Sequence, residues 1–206
     1  MNYAILIDGG FIRQIFKTKR QNHITADQVM TFCNLIKQDP LLNNNELFRV
    51  YFYDSPPYKK ELKHPLTGNV IPCPGISKME NFQEELEMKP TVAFRRGELT
   101  FSGWTVTNIK NMVKRASKGS NIDNFIVPKL NQKTVDMKIG LDIAWMASKK
   151  IVDKMVLVTG DSDFVPAMKF ARREGVIVYL THLNNPVRNC LIAHSDGIID
   201  IDLNKI

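Results

Sequence analysis

Short apolar runs alternate with helical stretches along the chain, and this alternation predicts a parallel α/β architecture. Tyr3–Ile7 is nearly continuous in apolar residues, as a strand buried on both faces requires. Asp8 ends it, Gly9–Gly10 turn the chain, and Phe11–Phe16 begins a helix. A second helix covers Val29–Lys37, with Thr25 or Asp27 as its cap, and Leu47–Tyr53 reads as the next strand, closed by Asp54 and Pro56–Pro57. The clearest unit lies later. Met155–Val158 is a β-branched run, Gly160 breaks it, and a helix follows from Phe164 to Glu174 with Pro166 in its first turn. Gly175 suits a left-handed cap, and Val176–Leu180 is a second apolar run, completing a βαβ unit. Pro186–His194 reads as a last helix and Ile198–Ile201 as a last strand.

Two stretches qualify this frame. Val135–Ile151 is a strong helix with Thr134 as its cap, and its apolar stripe is Val135, Ile139, Ile143, Met146 and Ala147. Residues 58–120 form a less regular insertion. Pro65, Pro72 and Pro74 with Gly68 and Gly75 predict a long excursion between Tyr58 and Pro90. It holds one helix at Ser77–Leu86, and Thr91–Leu99 follows as a strand. With no repeat or clear boundary elsewhere, residues 1–206 read as one domain.

Composition narrows the class. The 206 residues are 44% hydrophobic and 24% charged, ordinary for a globular protein, and no apolar run approaches the ~20 residues of a membrane span. The N-terminus lacks the pattern of a signal peptide, and Cys33, Cys73 and Cys190 are too few and scattered for a disulfide framework. A cytoplasmic location is the expectation. The net charge of +7 suggests a polyanionic partner. Basic clusters occur at Lys17, Lys19 and Arg20, at Arg95 and Arg96, and at Lys110, Lys114, Arg115 and Lys118, continuing to Lys129 and Lys133. For Lys17–Arg20 the simpler account is a helix end complementing its own dipole. Of the rest, Lys133, Arg95, Arg96, Lys110 and Lys114 are the candidates for strand contacts.

The chemistry lies in acidic residues. Asp8 and Asp161 each end an apolar strand and precede a helix, so in a parallel sheet both reach the same edge. Asp163 lies two residues further on, and Asp136 opens the helix leading into the Met155 strand; a right-handed crossover returns it to that edge. Four converging carboxylates repel one another, and a hard divalent cation resolves that conflict. Each has a simpler account: Asp8 and Asp163 as caps, Asp136 against its helix dipole, Asp161 as a turn residue, and Asp142 as the partner of Lys138 one turn earlier. The four histidines lack zinc-ligand spacing, and neither a phosphate-cradling P-loop nor a dinucleotide fingerprint is present.

ILIDGGF at Ile5–Phe11, KTVDMKIGLD at Lys133–Asp142 and TGDSDFVPAMKFARREG at Thr159–Gly175 resemble the NYN domain, and more narrowly its LabA-like branch within the PIN-like nuclease superfamily. The resemblance runs in order over nearly the whole chain and is loose between Tyr58 and Ser120. It implies a Rossmann-like central parallel sheet flanked by helices and Mg²⁺- or Mn²⁺-dependent hydrolysis of RNA phosphodiesters. Asp8, Asp136, Asp161 and Asp163 fall on the family's catalytic and metal-binding positions, and Asp142 on a further acidic position. Phe11 stands where many NYN domains carry Asn; LabA-like members often have an aromatic residue there. The expected partner is RNA, with single-stranded DNA as a second candidate, no membrane is involved, and a homodimer is left open. The rival expectation is a nucleic-acid-binding regulator of the same fold with little or no turnover.

Overall fold

The parallel sheet expected from the apolar runs forms. The computed structural model describes residues 1–71 and 76–206; Pro72, Pro74 and Gly75 of the expected excursion, and Cys73 between them, lie outside the described residues. In chain order the strands and helices are β1 (Asn2–Asp8), α1 (Gly9–Lys19), α2 (Ala26–Lys37), β2 (Glu46–Asp54), β3 (Leu62–Lys63), β4 (Val70–Ile71), α3 (Ile76–Glu87), β5 (Val92–Arg96) and β6 (Glu98–Val106). They continue as α4 (Ile109–Ala116), β7 (Ile126–Lys133), α5 (Val135–Ser148), β8 (Lys154–Val158), α6 (Val165–Arg173), β9 (Ile177–Thr181), α7 (Asn189–Ala193) and β10 (Gly197–Ile198). The central sheet has the order β10-β9-β8-β1-β2-β5, and every neighbouring pair is parallel. No described helix is long and apolar enough to cross a membrane.

The alternation of β1 divides the core in two. Tyr3, Ile5 and Ile7 pack with Phe16 of α1 and Phe32 and Ile36 of α2, whereas Ala4 and Leu6 pack with Ile139 and Ile143 of α5 and Met168 of α6. Helices therefore cover both faces, which is why β1 reads as a continuous apolar run. The buried stripe of α5 is Val135, Ile139, Ile143, Met146 and Ala147, the set its spacing predicts. Local chemistry fixes the element ends. Thr25 closes a capping box with Gln28, and Gly175, at φ +89°, ends α6 in the left-handed region.

Other expectations need correction. Thr134 precedes α5 but makes no capping hydrogen bond, and its φ of 68° turns the chain instead. Thr91–Leu99 is two strands, because the chain breaks at Gly97. A Cβ there would stand 2.3 Å from Val135 and 3.1 Å from the Lys133 carbonyl. β6 then pairs antiparallel with β7, Glu98 opposite Lys133 and Val106 opposite Ile126, making a two-stranded ribbon within and beyond the insertion. The last helix is shorter than Pro186–His194, and Cys190 on it is exposed. Lys19 and Arg20 do more than complement a dipole. Lys19 Nζ donates to the carbonyls of Leu183 and Asn184 at 2.7 and 2.9 Å, and Arg20 donates to those of Leu203 and Ile206.

The chain leaves β1 toward β2 on one side and returns through β8 on the other, so the order reverses between β1 and β8. At the carboxyl end of this pair, Ile7 lies opposite Val158, directly before Asp8 and Thr159. Open α/β sheets bind ligands at such a switch point.

Tight packing at this edge is testable. A Cβ on Gly9 would stand 2.6 Å from the Tyr53 carbonyl oxygen and 2.6 Å from the Phe52 ring, and the carbonyl belongs to β2. Gly9→Ala is expected to lower stability by about 1–3 kcal/mol in urea unfolding. Gly140→Ala, within α5 and facing open space, is expected to raise it by about 0.5–1 kcal/mol.

Candidate active site

Asp8 is the last residue of β1 and the cap of α1. The Phe11 amide donates to its Oδ1 at 3.1 Å, and the Thr159 hydroxyl donates to its Oδ2 at 3.3 Å. Thr159, fully buried, also accepts from the Asp161 amide at 3.1 Å, so one hydroxyl joins the ends of β1 and β8. Asp161 Oδ1 accepts from the Asp163 amide at 2.9 Å, capping a single 3₁₀ turn before α6. The simple capping and turn roles of Asp8 and Asp161 are thus real, and they fix the orientation of both carboxylates. Gly160 is needed between them, since a Cβ would stand 2.7 Å from the Phe11 ring.

Asp8, Asp136, Asp161 and Asp163 line one cleft of about 920 Å³, together with Phe11, Gln132, Asn185 and Arg188. Burial is the main cause that pushes the Asp8 carboxyl up to about 6, and the charges of Asp136 and Asp54 add to it against the two hydrogen bonds. The Asp136 carboxyl is also raised, by partial desolvation first and then by Asp161 and Asp163. Asp136 is solvent-exposed at the cleft rather than pressed into the apolar stripe of α5. None of the four forms an ion pair among the described residues. Equally, among those residues no three His, Cys, Asp or Glu side chains form a ready-made metal-binding group. The carboxylates share a cleft without forming a closed ligand shell.

Asp142 stands elsewhere, which corrects its expected place among the metal ligands. Arg95 clamps it with two hydrogen bonds of 2.9 and 3.0 Å, and Tyr53 donates its hydroxyl to it at 2.9 Å. Lys138, its expected partner, instead donates to the Arg96 carbonyl. Arg95 is engaged further over the Tyr51 ring, and Arg96 pairs with Glu87 and Gln83. Both arginines are thereby committed within the fold rather than displayed for a strand. Lys110 and Lys114 lie exposed on α4, and Lys133 lies exposed at the end of β7, one residue past Gln132 of the cleft.

Sequence reasoning passed over Asp54, Gln132, Asn185 and Arg188. Asp54 is fully buried beside Asp8, paired with Arg13 at 2.7 Å and accepting from Gln132 at 3.4 Å. Burial raises its carboxyl while Arg13 opposes the shift. A signal existed for Asp54: like Asp8, it ends an apolar strand of the same sheet.

A family model described as the NYN domain matches residues 78–202. That span holds Asp136, Asp161 and Asp163; Asp8 lies outside it and joins them through the pairing of β1 with β8. Among solved structures, a protein of unknown function from Vibrio parahaemolyticus is similar over 98% of this chain and 93% of that one, with 16% identity and a TM-score of 0.53. At that identity the likeness concerns the fold alone. No curated protein matches the chain.

The raised Asp8 carboxyl has a stability consequence. An acid whose folded pKa exceeds its unfolded value binds more protons when folded, so its contribution falls as pH rises from about 4 to about 6 and then stays level. In EDTA at pH 7.5, Asp8→Asn is expected to be more stable than the parent by about 1–3 kcal/mol, with the gain absent below pH 4. Thermal melts at both pH values measure this; equal melting temperatures at both would contradict it.

Proposed function

Since the chain belongs to the NYN domain family of the PIN-like nuclease superfamily, we propose that it is a metal-dependent ribonuclease hydrolysing RNA phosphodiesters. The observation that carries this reading is a single one: Asp8, Asp136, Asp161 and Asp163, from three separate segments, line one cleft at the sheet's switch point without a cationic partner among the described residues. Phe11, packed on Gly160, further favours the LabA-like branch.

The donor set fits a hard divalent cation. It is all carboxylate oxygen, and its members raise one another's carboxyls. Asp8, Asp136, Asp161 and Asp163 would hold Mg²⁺ or Mn²⁺, which when bound supplies Lewis acidity toward the phosphodiester and makes water easier to deprotonate. The chain's own groups do the positioning. Phe11 N–H and Thr159 fix both oxygens of Asp8, and the Asp163 amide fixes Asp161. Water attacks phosphorus in line, the P–O3′ bond breaks, and the 3′-oxygen takes up a proton, leaving a 3′-hydroxyl and a 5′-phosphate. Phe11, Pro186 and Val187 give the cleft an apolar wall beside the carboxylates.

The second reading is a cytoplasmic nucleic-acid-binding regulator with weak turnover. The specific observation in its favour is Phe11 in place of the amide side chain that many family members carry there.

Labelled single-stranded RNA with Mn²⁺ separates the two. The parent protein is expected to cleave it, and Asp161→Asn and Asp136→Asn to lose about 100-fold or more. Asp142→Asn is expected to stay within about 3-fold in rate and to lose about 1 kcal/mol of stability with its half-exposed pair to Arg95. Binding without cleavage by the parent would favour the regulator, and equal cleavage by Asp161→Asn would remove the acidic cleft from the account.

A further inference from the structure

We propose that Arg188 is the phosphate anchor of this cleft, gripping a non-bridging phosphate oxygen of the RNA strand; the inference rests on the nuclease reading above. An RNA phosphate approaching four carboxylates meets like charge that one divalent cation only partly offsets, so a side-chain cation beside them favours strand binding. Arg188 is placed to be that cation. It is exposed, it lines the same cleft as Asp8, Asp136, Asp161 and Asp163, and among the described residues it is paired with none of them. Its Nη1 donates instead to the uncharged hydroxyl of Ser162, at 3.2 Å, between Asp161 and Asp163 in the chain. One donor is thus occupied by a weak partner, and the rest of the planar fork stays available for phosphate oxygens, a geometry guanidinium matches better than ammonium.

The segment that carries Arg188 is built, not slack. After β9, Leu183 and Asn184 both take left-handed backbone conformations, each with φ near 53°, which Asn tolerates but Leu does not adopt cheaply. Three contacts hold them there: the Leu183 side chain is buried, Lys19 of α1 donates to both their carbonyls, and the Asn185 amide donates to the His182 carbonyl. This double turn leads into Asn185, Pro186, Val187 and Arg188, which line the cleft together with Gln132 and Asp136. The Arg188 carbonyl then accepts from the Leu191 amide as the chain enters α7. Lys19 thereby ties the start of this segment to α1.

Fluorescence anisotropy with a labelled single-stranded RNA in Ca²⁺, from 50 to 300 mM KCl, tests the assignment on the whole protein. Arg188→Ala is expected to bind ~5- to 10-fold more weakly at the lowest salt, with the slope of log Kd against log salt reduced by about 1, as for one lost phosphate contact. Arg188→Lys is expected to restore the slope and only part of the affinity. A merely structural role would not move the salt slope. RNA binding by the parent with unchanged affinity and slope in Arg188→Ala overturns this inference alone. Failure of the parent protein to bind RNA overturns the nuclease reading and this assignment with it.

Discussion

Parallel pairing of β1 with β8 forces carboxylates together. Ile7 lies opposite Val158, so the next residues of both strands, Asp8 and the Thr159–Asp163 turn, emerge side by side at one sheet edge. Asp136 arrives from α5, whose buried stripe leaves its first turn facing the cleft. Bringing like charges to a partly desolvated edge is unfavourable: burial first, and then the charges of Asp136 and Asp54, push the Asp8 carboxyl up to about 6. The fold accepts an electrostatic strain at the place where an anionic substrate and a cation would be brought together.

The surroundings either supply order to this edge or stay out of it. Thr159 is shared between Asp8 and the Asp161 amide, Gly160 lets the Phe11 ring close in, and Gly9 admits the Tyr53 carbonyl. Two arginines nearby in the fold have carboxylate partners of their own. Arg13 is spent on buried Asp54, and Arg95 is spent on Asp142. Buried Asp54 needs its partner, because an uncompensated carboxylate in that position would be very costly. Arg188 alone enters the cleft as a cation among the described lining residues, and it rests on a hydroxyl.

The parallel sheet was legible because its strands are buried on both faces and its crossovers carry amphipathic helices; β1 and β8 announce themselves as short continuous apolar runs, and α5 by the period of its stripe. So does the edge chemistry, since a carboxylate after an apolar run marks a strand end. The β6–β7 ribbon was not legible. Its strands are half-exposed, interrupted by a bulge between Phe101 and Trp104, and paired across the whole of α4. Asp142 misled for a related reason: Lys138 stands one turn away in sequence, but Arg95, 47 positions off, reaches it through tertiary packing. Arg188 gave no periodic signal at all, because a short loop held by Lys19 places it.

The claim on which everything else stands is that this repulsion is answered by a divalent cation within the cleft. Anomalous diffraction from a crystal soaked in Mn²⁺ at neutral pH reads it directly. The account predicts a manganese peak against the carboxylates of Asp8 and Asp161, lost when either is replaced by asparagine. A soaked crystal with no peak in that cleft, and Asp8 and Asp161 unmoved, would contradict it.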